Sequence, residues 1–187
     1  MTGQRQQTFT LAEIARRLEV PQHRLIHLCE KQVVVPDVQD ADGRGSSRVF
    51  SSGNFLELAV AVRLRDMMLP VAATGAIIHV MRRLEARLSD ELQGFSLVTS
   101  LTSAAAPDLR VIISDGRRIF FSLGQGATAP KLFGGVTIDE LSSGGDEPPI
   151  AVVDGQTARR GFGGPEGSSF ARSEISLTAI ARSLPLA

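Results

Sequence analysis

A single cysteine, Cys29, and only three histidines, all before residue 80, set the first limits on this 187-residue chain. One thiol excludes an intrachain disulfide and any cysteine-cluster metal site. His23 and His27 stand one helical turn apart, a spacing that can grip a metal, but no third ligand is evident on that face, so no metal is expected. The second half holds neither His nor Cys and therefore lacks the donors of a thiolate or imidazole site. No apolar run approaches the roughly 20 residues that span a bilayer, and Met1 to Arg5 lead into polar residues rather than an apolar signal core. The expectation is a cytoplasmic protein with no membrane partner. Net charge is missing too, since 20 Lys and Arg balance 20 Asp and Glu. The balance is uneven along the chain: 12 Lys and Arg stand against 9 Asp and Glu in residues 1–89, and 8 against 11 in residues 90–187, giving +3 and −3. This mild bias agrees with an anionic partner for the first half. Enzyme motifs are also lacking: there is no Gly-Lys-Ser/Thr phosphate loop, no zincin His-Glu pair and no Gly-x-Ser-x-Gly elbow. Asp139-Glu140 and Asp146-Glu147 fall in turn-like stretches, where carboxylates are commonly solvated. No enzymatic activity, catalytic residue or cofactor is expected.

What is present is enough apolar content, 43%, to bury a core, arranged with helical spacing in the first half. Thr10-Leu11-Ala12-Glu13 has the capping-box pattern of a helix start, with Leu11, Ile14, Ala15 and Leu18 on one face. Val20-Pro21 breaks that helix and opens a second, to about Lys31, in which Leu25, Leu28 and Cys29 face inward. Two short helices across a tight turn make a helix-turn-helix pattern. Val33-Val34-Val35 before Pro36 predicts a strand, Asp40 to Ser47 a loop, and Arg48-Val49-Phe50 a return strand, together a β-wing. Ser51 or Ser52 caps a third helix carrying Phe55, Leu58, Ala59 and Val62 and ending near Met68. A fourth begins near Thr74, with Ile77, Val80, Met81, Leu84 and Leu88 inward.

Composition changes at Gly94. From Phe95 onward, short β-branched segments separated by Gly, Pro, Ser and Asp predict strands and turns. Asp115-Gly116 marks a hairpin from Leu109 to Leu123, in which Leu109, Val111 and Ile113 share a face with Ile119, Phe121 and Leu123. Val136 to Ile138 and Ile150 to Val153 are further strand candidates, residues 155–169 are Gly-rich, and Glu174 to Leu184 fits either a strand or a short helix. The fold class is α+β: a four-helix winged helix-turn-helix domain over residues 1–93, then a small β-rich domain over 94–187.

Three stretches carry a family likeness. Phe9 to Ala15, Ile26 to Pro36, and Arg48 to Ser51 with Phe55, Leu58 and Leu64 to Met68 resemble the opening, recognition-helix end, wing exit and later helices of the MerR-type DNA-binding domain, over about the first 45% of the chain. The chain departs from the family at His27, Leu28 and Cys29, where an Arg and two Tyr are usual, and at Val33, where a Gly is usual. The long dimerising helix that normally follows is missing as well.

The resemblance implies a transcriptional regulator that binds double-stranded DNA, expected as a homodimer. The second helix would enter the major groove, with Gln22, His23, Arg24 and His27 toward base edges. Arg24 suits guanine and Gln22 adenine. Arg44 and Arg48 of the wing, with Ser46 and Ser47, would hold phosphates; Arg16, Arg17 and Lys31 are secondary phosphate candidates. The β-rich half would serve self-association, effector sensing or a protein partner. Two other readings stay open: an autoregulating antitoxin-like adaptor, and an architectural DNA-binding protein of the excisionase or packaging type.

Overall fold

In the computed structural model the described residues are 7–39, 48–91, 95–115, 118–124, 131–137, 152–153 and 172–186. They form a mixed α and β structure with six helices and two small sheets. Strand β1 (Thr8–Thr10) runs directly into α1 (Leu11–Arg17), which is followed by α2 (Gln22–Glu30). The Thr10 hydroxyl accepts from the Glu13 amide at 3.3 Å while the Glu13 carboxylate accepts from the Thr10 amide at 3.1 Å, so both orphan donors of the helix start are satisfied. Strand β2 (Val49–Ser51) pairs antiparallel with β1, Phe9 opposite Phe50.

Two helices form the centre. Helix α3 (Ser52–Asp66) is buried continuously from Asn54 to Val62, and α4 (Val71–Glu91) packs against it through Ile77, Ile78, Val80, Met81 and Leu84. The Phe9 and Phe55 rings meet edge-on at 5.0 Å, fastening β1 to α3. Among the described residues no helix is long and apolar enough to cross a membrane.

After α4 come α5 (Leu97–Thr102), the strands β3 (Asp108–Ser114), β4 (Arg118–Gly124), β5 (Lys131–Thr137), β6 (Val152–Val153) and β7 (Arg172–Ser176), and finally α6 (Leu177–Ser183). The sheet order is β6-β5-β4-β3-β7. The hairpin has the expected register, with Leu109 opposite Leu123, Val111 opposite Phe121 and Ile113 opposite Ile119. Position 120 pairs with Gly134 and 119 with Val136, so Gly135 is an extra residue in β5, at a bulge. The ambiguous segment after residue 173 is both things in turn: Ser176 ends β7, and its hydroxyl accepts from the Ala179 amide at 3.0 Å to start α6.

Four expectations are corrected. Val33 to Val35 is not a strand: Gln32 turns the chain with φ 55°, and Val33 and Val34 are buried, Val33 beside Gly75 of α4. Among the described residues the two flanks of that stretch meet instead at an isolated Gln39–Val49 bridge, and the predicted loop over residues 40–47 lies outside the described residues. Residues after Phe95 begin as a helix, α5, because Leu97, Val98 and Leu101 recur at helical spacing and are buried. Helix α4 starts at Val71, three residues before the expected Thr74, whose hydroxyl bonds back to the Pro70 carbonyl at 3.0 Å. Helix α3 ends at Asp66, with Met67 as its C-cap and Met68 left-handed at φ 64°.

Candidate nucleic-acid interface

Helix α2 divides sharply by exposure. Leu25, Leu28 and Cys29 are buried, whereas Gln22, His23, His27 and Lys31 are exposed and Arg24 is half-buried. The split follows from spacing: positions three and four apart share a face, so the apolar triplet anchors the helix and the polar set is left outside. Pro21 caps the helix without a side-chain hydrogen bond; its carbonyl accepts from the Arg24 amide at 3.0 Å, which leaves the amides of exposed Gln22 and His23 without a side-chain cap. Such open donors, at the positive end of the helix dipole, suit an anionic oxygen.

His23, Arg24 and His27 line one open hollow of about 210 Å³. Its other walls are Leu28 and, from α3, Val62 and Arg65. Arg65 also donates to the Leu69 carbonyl at the α3–α4 turn. Leu28 and Val62 thus give the hollow apolar walls beside cationic or neutral donors, with no carboxylate among the described lining residues. At its edge Arg24 donates from one terminal nitrogen to Asp66 at 2.6 Å.

The remaining sequence candidates divide. Lys31 lines a different groove of about 510 Å³ with Gln32, Val33, Val71, Ala72, Gly75, Ala76 and His79. Arg16 is exposed on α1, outside both hollows, and Arg48 is half-exposed where the chain enters β2. Arg44, Ser46 and Ser47 lie outside the described residues. Arg17 is engaged internally: its guanidinium stands 5.0 Å from the centre of the Phe9 ring and donates to the Pro185 carbonyl. That makes it a clamp between β1 and the C-terminal segment. Among the described residues no group of three His, Cys, Asp or Glu could hold a metal.

Sequence reasoning missed Arg65 and Asp66. The signal was available in α3, where polar side chains gather at the C-terminal end as Arg63, Arg65 and Asp66 after a continuously buried stretch.

A polar chain ties Asp37 to β2, α3 and α4. The Asp37 carboxylate accepts from the Ser51 amide at 3.0 Å and from its hydroxyl at 2.5 Å, and the Asp37 amide donates to the Asn54 side-chain oxygen at 2.9 Å. Asn54 then donates to Glu57 at 2.9 Å, and Glu57 receives Arg82 in a two-pronged pair at 2.5 and 2.7 Å. These hydrogen bonds with Glu57 raise Arg82 further above its ordinary value. One turn on, burial pushes the Glu85 carboxyl up, opposed by the Leu97 amide that it accepts at 2.8 Å.

No known family profile and no curated protein sequence matches the chain.

Proposed function

We propose that this chain binds double-stranded DNA as a transcriptional regulator, with β1 to α4 acting as a winged helix-turn-helix of the MerR type. The observation that carries the reading is the outer face of α2, where His23, Arg24 and His27 stand around an open hollow with Arg65 while the opposite face of the same helix is buried. Donor-rich side chains on the exposed face of the second of two packed helices are what major-groove reading requires. Uncapped amides at the start of α2 and Arg48 at the wing exit supply phosphate contacts. Helix α4 ends at Glu91 and is followed by α5 and the sheet, so self-association would use a surface other than a long coiled-coil helix.

The test is footprinting on genomic fragments with duplex affinity measured against salt. A protected site, with affinity falling steeply as salt rises, is the expected result, and twofold symmetry of the site would report a dimer. Arg24→Ala should flatten preference among sequences, whereas Arg48→Ala should weaken all duplexes alike and lower the salt slope by about one. Absence of salt-dependent duplex binding would overturn the reading.

A further inference from the structure

Asp66 occupies an electrostatically poor position. It is the last residue of α3, where the exposed carbonyls make the helix end negative and where cations are the favoured occupants. Arg63 and Arg65 follow that rule on the same turn; Asp66 does not. Its carboxylate is stabilised from outside the helix by Arg24 at 2.6 Å, with Arg63 more distant at 4.0 Å. The Arg24 contact is made by one terminal nitrogen. A guanidinium has five N–H donors in a rigid plane, so one carboxylate oxygen leaves most of them available.

We propose that Asp66 is a positioning residue for base recognition: it fixes the plane of the Arg24 guanidinium so that the arginine's remaining N–H edge meets a guanine, an inference that rests on the DNA-binding reading above. Two observations support the assignment. Arg24 lines the hollow with His23, His27 and Arg65, whereas Asp66 sits outside that lining and its carboxylate meets it by the hydrogen bond from Arg24. The two residues also belong to different helices, so the pair restrains a long side chain that would otherwise sample many rotamers before docking. Restraint before binding increases discrimination, because a guanidinium held in plane makes two parallel hydrogen bonds with guanine and cannot swing to an alternative base.

An acid beside a phosphate backbone also repels it. Removing the acid therefore has two opposite effects, a looser arginine and a stronger general attraction, and the combination distinguishes positioning from other roles. Full-length wild type, Arg24→Ala, Asp66→Ala and Asp66→Glu would each be taken through selection from a randomised duplex pool. Each would then be assayed against the selected site and an unrelated duplex. Wild type should enrich a site containing a guanine whose preference disappears in Arg24→Ala. Asp66→Ala should lose preference at that same base pair by about tenfold while binding the unrelated duplex more tightly, and Asp66→Glu should restore much of the preference. Full guanine preference in Asp66→Ala overturns the proposal, as does a gain confined to the selected site, which would mean that Asp66 sequesters Arg24. If wild type enriches no sequence at all, the DNA reading falls and this inference with it; enrichment by wild type with either contrary result for Asp66→Ala overturns the inference alone.

Discussion

At Glu57 three hydrogen bonds from two side chains converge. It is 7% exposed, yet it takes two hydrogen bonds from Arg82 and one from Asn54, and Asn54 in turn holds the Asp37 amide. A buried carboxylate is tolerated because all these donors converge on it; remove the carboxylate and Arg82 and Asn54 both lose their acceptor. Arg82 is partly exposed at 36%, so water can recover some of the loss. Glu57→Ala should therefore cost about 2 kcal/mol, below the roughly 3–5 kcal/mol of a fully buried broken pair. By contrast, Arg63→Ala should change stability by less than about 0.5 kcal/mol, since its 4.0 Å contact with Asp66 is solvent-exposed. Urea unfolding followed by circular dichroism measures both, and equal effects would contradict the distinction. None of this chain was legible in the sequence. Helical spacing marks Glu57 only as a polar position near Phe55 and Leu58, and its partner Arg82 lies 25 residues away on another helix. The same limit hid Asp66: the outer face of α2 follows from local periodicity, but the acid that holds Arg24 is 42 residues distant.

At the scale of elements, Glu85 links α4 to α5 by accepting the Leu97 amide near the α5 start. Burial raises its pKa above the ordinary carboxyl value. The folded state therefore binds this proton more tightly than the unfolded chain, and the stability it contributes is present below the ordinary carboxyl pKa and lost as pH rises through the raised one. Glu85→Gln keeps an acceptor for Leu97 and removes the titration. The difference in urea midpoint between variant and wild type should thus grow in favour of the variant as pH rises from about 4 toward neutrality, then level off. A difference that stays constant with pH would show that Glu85 titrates alike in both states.

Element legibility follows the length of each periodic signal. Helices α1 to α4 and the β3–β4 hairpin repeat their apolar pattern over several turns or both arms, and sequence alone located them. Strand β1 has three residues, too short for a period to show, and in the six-residue α5 the helical spacing of Leu97, Val98 and Leu101 is set among Ser, Thr and Val, which suit strands and turns as well. Val33 to Val35 misled because β-branched residues suit a partly buried turn as well as a strand: Val33 and Val34 are buried and Val35 is exposed, and the positive φ of Gln32 decides for the turn, of which sequence gives no sign.

At the scale of the whole molecule, most of the buried apolar side chains form one continuous cluster from Phe9 to Leu184, crossing the change of composition at Gly94. Helix α6 is what makes the cluster continuous. Leu177 and Ala181 are fully buried, and the helix packs against α3, α5 and β3. Thr178 reinforces this from its buried hydroxyl, which donates to the Pro107 carbonyl at 2.7 Å and accepts from the Leu109 amide at 2.9 Å. Arg17 closes the arrangement from the other side by donating to Pro185, next to the buried Leu184. A cavity at Leu177 should therefore weaken both halves of the chain together. Leu177→Ala should cost about 2–5 kcal/mol, as large-to-small changes at sealed sites do. The chain has no Trp or Tyr, so amide hydrogen exchange is the suitable probe. The slowest amides of α3 and those of β3 should lose protection by the same free energy if the two halves unfold as one cooperative unit. Loss confined to β3 and α6, with α3 unchanged, would show instead that the helical part keeps its own stability and that the shared core is only a contact between separately folding parts.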